Sequence, residues 1–128
     1  MTPKRILIVD DAATVRMYHR AILEGAGYAV EVAVNGIEAL EKALAAAAPF
    51  DLYLVDVNMP KLDGYGFLRE LRRQDIAQAP AVMISTESAP QDQAQAYAAG
   101  ANFYLVKPIK PDDLLALCRL LLGQGGAR

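Results

Sequence analysis

Cysteine is nearly absent. The chain has 128 residues and one thiol, Cys118. A lone cysteine forms no internal disulfide, which excludes a disulfide-stapled secreted scaffold and points to a reducing compartment. Cys118 can be read as a reactive thiol or as a small buried hydrophobe, and its place in Leu114-Leu115-Ala116-Leu117-Cys118 favours the second. Histidine is just as scarce. His19 is the only one, with no second ligand near it in sequence, so it is expected on the exposed side of a helix rather than on a metal or carrying a phosphate. No block of like charge stands out: 13 basic and 15 acidic residues give a formal charge of -2. That balance leaves no footprint for nucleic acid or an anionic membrane. Long apolar runs are missing too, Ile6 to Val9 being far too short for a signal-peptide core or a membrane span. These absences predict a soluble, cytoplasmic protein that binds neither nucleic acid nor membrane.

What is present is hydrophobic content, 54% of residues, in a length that fits one domain with one sizeable core. Residues 1–122 are expected to form that domain, and 123–128, rich in glycine, a flexible tail. Arg5 to Val9 reads as a buried strand ending at Asp10-Asp11. From Ala13 the period becomes helical, with Val15, Tyr18, Ile22 and Leu23 on one face, and Gly25 and Gly27 end the helix. Tyr28 to Val34 is the second strand. Asn35-Gly36 turns into a helix lined by Ile37, Leu40 and Leu44, which the alanines carry to Pro49. Asp51 to Val55 is the third strand, and Phe67, Leu68 and Leu71 face inward from the helix after it. Ala81 to Ile84 is the fourth strand, followed by a Gln-rich helix from Pro90 to Ala99 closed by Gly100. Phe103 to Val106 is the fifth strand. A last helix opens at Pro111, with Leu114, Leu117, Leu120 and Leu121 inward. Strands that alternate with helices and read as continuous apolar runs predict an α/β fold: a doubly wound, five-stranded parallel sheet with five helices on its two faces.

Ligands of such sheets bind beyond the carboxyl ends of the strands. Those ends carry Asp10 and Asp11, then Asp56, then Ser85-Thr86, then Lys107. The strand order 2-1-3-4-5, flavodoxin-like, is assumed as one of the common doubly wound arrangements. It sets Asp10, Asp11 and Asp56 on neighbouring strands ~4.8 Å apart, with Lys107 ~10 Å from the third strand and able to reach across. Each residue has an ordinary explanation by itself: helix cap, turn former, solvated charge. The ordinary explanations do not account for three acids, a hydroxyl and a lysine at the carboxyl ends of four strands of one sheet. Three close carboxylates repel, and a divalent cation relieves them. Oxygen ligands without Cys or His suit Mg²⁺, with Mn²⁺ as a substitute. The chemistry that fits is phosphoryl transfer to Asp56, an aspartate acting as nucleophile.

These residues resemble the receiver domain of two-component response regulators, especially the stand-alone chemotaxis type. The resemblance rests on Leu7-Ile8-Val9-Asp10-Asp11, on Asp56-Val57-Asn58-Met59-Pro60 with Asp63-Gly64, on Ser85-Thr86-Glu87, and on Ala99-Gly100-Ala101 through Lys107-Pro108. It implies that Asp56 accepts the phosphoryl group and that Asp10, Asp11 and the Asn58 backbone carbonyl join it in holding Mg²⁺. Lys107 and Ser85 would sense the phosphate, Ser85 and Tyr104 would switch, and the bond from Lys107 to Pro108 would be cis. It implies a sensor histidine kinase or phosphotransfer domain as donor. The output would be a protein target on the face of the fourth helix, fifth strand and fifth helix, with the protein a monomer or weak dimer. Departures are Ser85 where Thr is commoner, Ile109 where Phe is frequent, and Asn102-Phe103 in place of an acidic pair. Competing readings are a phosphorylation-independent adaptor and a Mg²⁺-dependent phosphohydrolase, the latter lacking an Asp-x-Asp pair. A flavin site fails because Asp10-Asp11 would repel a phosphate.

Overall fold

The computed structural model describes residues 2–123. Its elements follow in order: β1 (Arg5–Val9), α1 (Ala13–Gly25), β2 (Ala29–Ala33), α2 (Gly36–Ala45), β3 (Leu52–Asp56), α3 (Gly64–Arg73), β4 (Ala81–Ser85), α4 (Pro90–Ala99), β5 (Phe103–Val106) and α5 (Pro111–Leu122). All strand pairs are parallel and the sheet order is β2-β1-β3-β4-β5, so the assumed order holds. The expected tail lies, from residue 124 onward, outside the described residues.

Parallel strands with helices above and below must be apolar on both faces. Leu7, Val9, Tyr53, Val55, Ala81 and Met83 turn to one face and meet Ala39, Phe67, Leu68, Leu71 and Ala96 of α2, α3 and α4. Ile6, Ile8, Leu52, Leu54, Val82 and Ile84 turn to the other and meet Leu23, Leu114 and Cys118 of α1 and α5. Each fully buried Leu, Ile or Phe is worth ~1.5–3 kcal/mol as an upper bound, and the interior positions of β3 and β4 are accordingly apolar up to Asp56 and Ser85. Cys118 is buried, as its apolar neighbours predicted.

Local signals fix where helices start. The Asn35 side chain accepts from the Glu38 amide at 2.8 Å, and the Glu38 carboxylate accepts from the Val34 amide at 3.1 Å, a reciprocal cap. Asp63 accepts from the Gly66 amide at 2.8 Å. Pro90 and Pro111 open α4 and α5 at the position where no amide donor is needed.

Several expected faces are corrected. His19 is only 5% exposed, whereas Tyr18, assigned to the core face, is half exposed. In α2 the buried residues are Gly36, Ala39 and Ala43, while Ile37 and Leu44 face out. The cause is close approach: the Gly36 amide donates to the Leu62 carbonyl at 2.9 Å, and a side chain at that position would overlap Leu62. That helix stops at Ala45, four residues before Pro49. Leu120 is 73% exposed, on the opposite side of α5 from Leu114 and Cys118. β5 is the sheet edge and is not buried on both faces; Phe103 and Val106 are exposed.

Candidate functional site

Asp10 follows β1, and its amide continues the ladder to the Ala33 carbonyl at 3.1 Å. Its carboxylate is buried and accepts from the Ala12 amide at 2.9 Å, turning the chain into α1. Arg16, one turn on, donates to the Asp10 carbonyl at 2.7 Å. Asp11 is exposed beside it. Asp56 is the last residue of β3 and buried; the next amide, that of Val57, still bonds the Ile84 carbonyl at 3.1 Å, so the carboxylate is held by an intact ladder. Ser85 ends β4, buried, its hydroxyl accepting from the Glu87 amide at 3.0 Å. The Lys107 amide donates to the Ser85 carbonyl at 2.7 Å, and the bond from Lys107 to Pro108 is cis, as the resemblance implied.

The lysine spans the site. Its Nζ lies 2.8 Å from Asp56 Oδ1 and 3.3 Å from Asp10 Oδ2. One oxygen from each of Asp10, Asp11 and Asp56 lies within 4.8 Å of the others. Three carboxylates facing one ammonium leave two negative charges uncompensated. Burial, reinforced by Asp10 and Asp11, pushes the Asp56 carboxyl above its ordinary range despite the Lys107 hydrogen bond. Burial alone would lower Lys107, but the bond to Asp56 and the charges of both acids reverse that and raise it. The two directions agree: acids outnumber the base. An all-oxygen donor set with excess negative charge and no thiolate or imidazole in it fits a hard divalent cation.

The loop over the site is tightly wound. The Leu62 amide donates to the Pro60 carbonyl at 2.8 Å across Lys61, whose φ is 69°, a γ-turn that few non-glycine residues adopt. Gly64 starts α3 directly against the strand end: an added Cβ would stand 2.4 Å from the Asp56 carbonyl oxygen. Asn58 is exposed, two residues beyond Asp56. Tyr104 is half-buried on β5, and its hydroxyl donates to the Glu87 carbonyl at 2.7 Å. The fold thus brings Asp10, Asp11, Asp56 and Lys107 together and ties Ser85 and Tyr104 to the adjoining β4–α4 loop. Sequence reasoning missed Arg16 and Gly64. Gly64 was visible as part of Asp63-Gly64, but nothing in the chain pointed to backbone contact with Asp56.

Five parallel strands with an acidic pocket and a reaching lysine at their carboxyl ends define the class, and the comparisons agree. The chain belongs to the response regulator receiver domain family, whose model matches residues 6–119. It is 38% identical to the chemotaxis response regulator CheY4 of Vibrio cholerae, with a TM-score of 0.87, covering 94% of this chain and 100% of that one. It is 30% identical to the receiver domain of a Pseudomonas aeruginosa sensor histidine kinase, solved with a magnesium ion in its active-site cleft. That match has a TM-score of 0.84 and covers 94% and 98% of the two chains. It is 36% identical over 118 residues to the transcriptional regulatory protein ResD of Bacillus subtilis, which is 92% of this chain and 48% of that protein. The chain spans about half the length of the curated relatives it matches first. Among the described residues no helix is long and apolar enough to cross a membrane.

Proposed function

We propose that the chain is the receiver domain of a cytoplasmic response regulator and takes a phosphoryl group from a sensor histidine kinase or phosphotransfer domain onto Asp56. The observation that carries this reading is the buried Asp56 carboxylate, with Lys107 Nζ at 2.8 Å and two further carboxylates within 4.8 Å. An Asp56 oxygen attacks phosphorus, the bond to the donor imidazole nitrogen breaks, and its electron pair returns to the imidazole. Asp10, Asp11, Asp56 and the Asn58 carbonyl are the residues that would hold Mg²⁺, which when bound supplies positive charge against the phosphoryl oxygens. Lys107 exchanges its bond with Asp56 for one with the phosphoryl group. The Ser85 hydroxyl gives up its contact with the Glu87 amide and turns to a phosphoryl oxygen. Glu87 and Asn58 flank the path of the water that later hydrolyses the acyl phosphate.

The output we assign to the face of α4, β5 and α5, where Tyr97, Phe103, Val106 and Leu120 are exposed. Tyr104 moves inward as Ser85 moves, and the face becomes competent for a protein target. Shifting such an equilibrium from 1:99 to 99:1 takes ~5.5 kcal/mol of differential stabilisation, within reach of several charge-assisted bonds to one phosphate. The test is incubation with Mg²⁺ and acetyl phosphate followed by intact mass measurement. One phosphoryl adduct is expected, absent in Asp56→Asn and without Mg²⁺. No adduct in the native chain would leave it an adaptor with a receiver fold.

A further inference from the structure

His19 is a buried polar side chain that phosphoryl transfer does not use. It lines a cavity of 170 Å³ with Val15, Tyr18, Lys107, Pro108 and Ile109, between α1 and the segment that leads from β5 into α5. Among the described residues every sealed side-chain nitrogen or oxygen has a hydrogen-bond partner. The ring nitrogens of His19 have none, so they are not sealed, and the open space beside them is this cavity. The His19 ring edge has no partner within the protein and faces this space, so an occupant that hydrogen-bonds it has only water to displace.

Size, wall chemistry and charge narrow that ligand. Drug-sized molecules occupy about 300–1,000 Å³, too large for this space. The space opens to solvent on one side, and its 170 Å³ is on the scale of the engineered apolar cavity of about 150 Å³ that takes up benzene, which suits one aromatic ring. Val15, Pro108, Ile109 and the aliphatic stem of Lys107 are apolar walls, and the Tyr18 ring centroid lies 5.8 Å from that of His19. Burial, the largest influence, makes His19 harder to protonate, with Asp10 opposing and Lys107 assisting. A neutral imidazole offers one acceptor and one donor. The Lys107 ammonium is already held by two carboxylates, so it is not free to bind an anionic ligand.

We propose that this cavity binds a small neutral phenol, its ring against Val15, Pro108 and Ile109 and its hydroxyl donating to a His19 ring nitrogen. Lys107 forms one wall, so an occupant is felt at the residue that bridges Asp10 and Asp56. Binding is the readout, so the outcome does not depend on whether Asp56 is phosphorylated.

The experiment titrates phenol into the isotope-labelled full chain and follows His19, Ile109 and Lys107 by NMR. Saturable shifts confined to α1 and residues 107–109, in the millimolar range, are expected. Toluene, which lacks the hydroxyl, should bind about 2–10-fold more weakly. His19→Phe should erase that preference. Ile109→Trp should fill the space and abolish binding; Val15→Phe is the second filling variant, and a melt of each confirms folding. Absence of saturable shifts, shifts centred elsewhere, or phenol and toluene binding alike to the native chain would overturn the proposal. So would N-acetyltyrosinamide binding tenfold tighter than phenol, which would assign the cavity to a partner's tyrosine.

Discussion

The Tyr104 hydroxyl is bonded to the Glu87 carbonyl at 2.7 Å, which ties the edge strand to the loop that follows Ser85. The same loop receives the Ser85 hydroxyl through the Glu87 amide, so one residue, Glu87, is gripped at both backbone polar atoms. Moving Ser85 toward a phosphate releases one grip and leaves the other to Tyr104. Tyr104→Phe removes the second grip alone. It should destabilise the unphosphorylated protein by ~0.5–1 kcal/mol in urea denaturation, since the bond is solvent-accessible and neutral. Amide exchange at Thr86 to Ser88 should quicken, while the Asp56 adduct still forms. Unchanged exchange there would mean that the ring does not hold the loop.

Asp56 makes a sign-specific pH prediction. Its carboxyl is raised in the folded protein by burial and by neighbouring acids. A raised acid contributes stability while protonated, and that contribution is lost as pH rises through the folded-state value; unfolded, the group ionises near ~3.9. Native protein and Asp56→Asn should therefore be of similar stability near pH 3–4, and the variant should pull ahead as pH rises to neutrality. Charges ~4–5 Å apart repel by about 1 kcal/mol even in water, which sets the scale of the gain. Adding Mg²⁺ at pH 7 should reverse the order, because the native site gains ~2.7 kcal/mol at a hundredfold excess over Kd. Thermal melts across pH, with and without the ion, read both effects.

The sheet was legible because its residues carry two signals at once, apolar runs of strand length and a change of period between them. The site was legible because Asp10, Asp56, Ser85 and Lys107 all stand where an apolar run stops. Helical phase was harder. His19 lies four residues from both Val15 and Leu23, the spacing of a buried stripe, but its polar type argued it outward. In α2 the large residues Ile37 and Leu44 looked like the core face, whereas the close contact with Leu62 selects Gly36, Ala39 and Ala43. Side-chain size misleads where backbones nearly touch.

Arg72 shows what no local pattern reveals. From α3 it donates to the Gly100 carbonyl through Nε at 3.1 Å and Nη2 at 2.9 Å, to the Ala79 carbonyl at 2.8 Å, and to Asn102 Oδ1 at 3.1 Å. One guanidinium thus fastens the C-terminal end of α4 and the entry to β4, using acceptors 7, 28 and 30 residues away in sequence. Arg72→Met, which keeps the stem, should cost ~2–3 kcal/mol by chemical denaturation, because two part-buried carbonyls, those of Gly100 and Ala79, lose their donor. Arg72→Lys should recover less than half of that, as an ammonium cannot serve Gly100 and Ala79 in one plane. Phosphorylation of Asp56, at the opposite ends of the strands, should persist in both.

Gly64 carries the most severe single-atom prediction. It is the first residue of α3, and its amide donates to the Val57 carbonyl at 2.9 Å, which draws the helix start onto the end of β3. A Cβ there would meet the Asp56 carbonyl oxygen at 2.4 Å and Val57 Cα at 3.1 Å, both backbone atoms that cannot rotate away. The backbone conformation itself is open to any residue, so contact, not φ, makes the position a glycine. In Gly64→Ala either α3 retreats or the end of β3 bends. Retreat exposes part of Phe67 and Leu68 and should cost ~2–4 kcal/mol. Bending displaces Asp56 from Lys107 and should slow acyl phosphorylation at least tenfold, because transfer depends on reacting atoms held within fractions of an ångström. Measuring denaturation midpoint and adduct formation together distinguishes the two responses. Native values of both would show that the strand end and the helix start are not in the contact described.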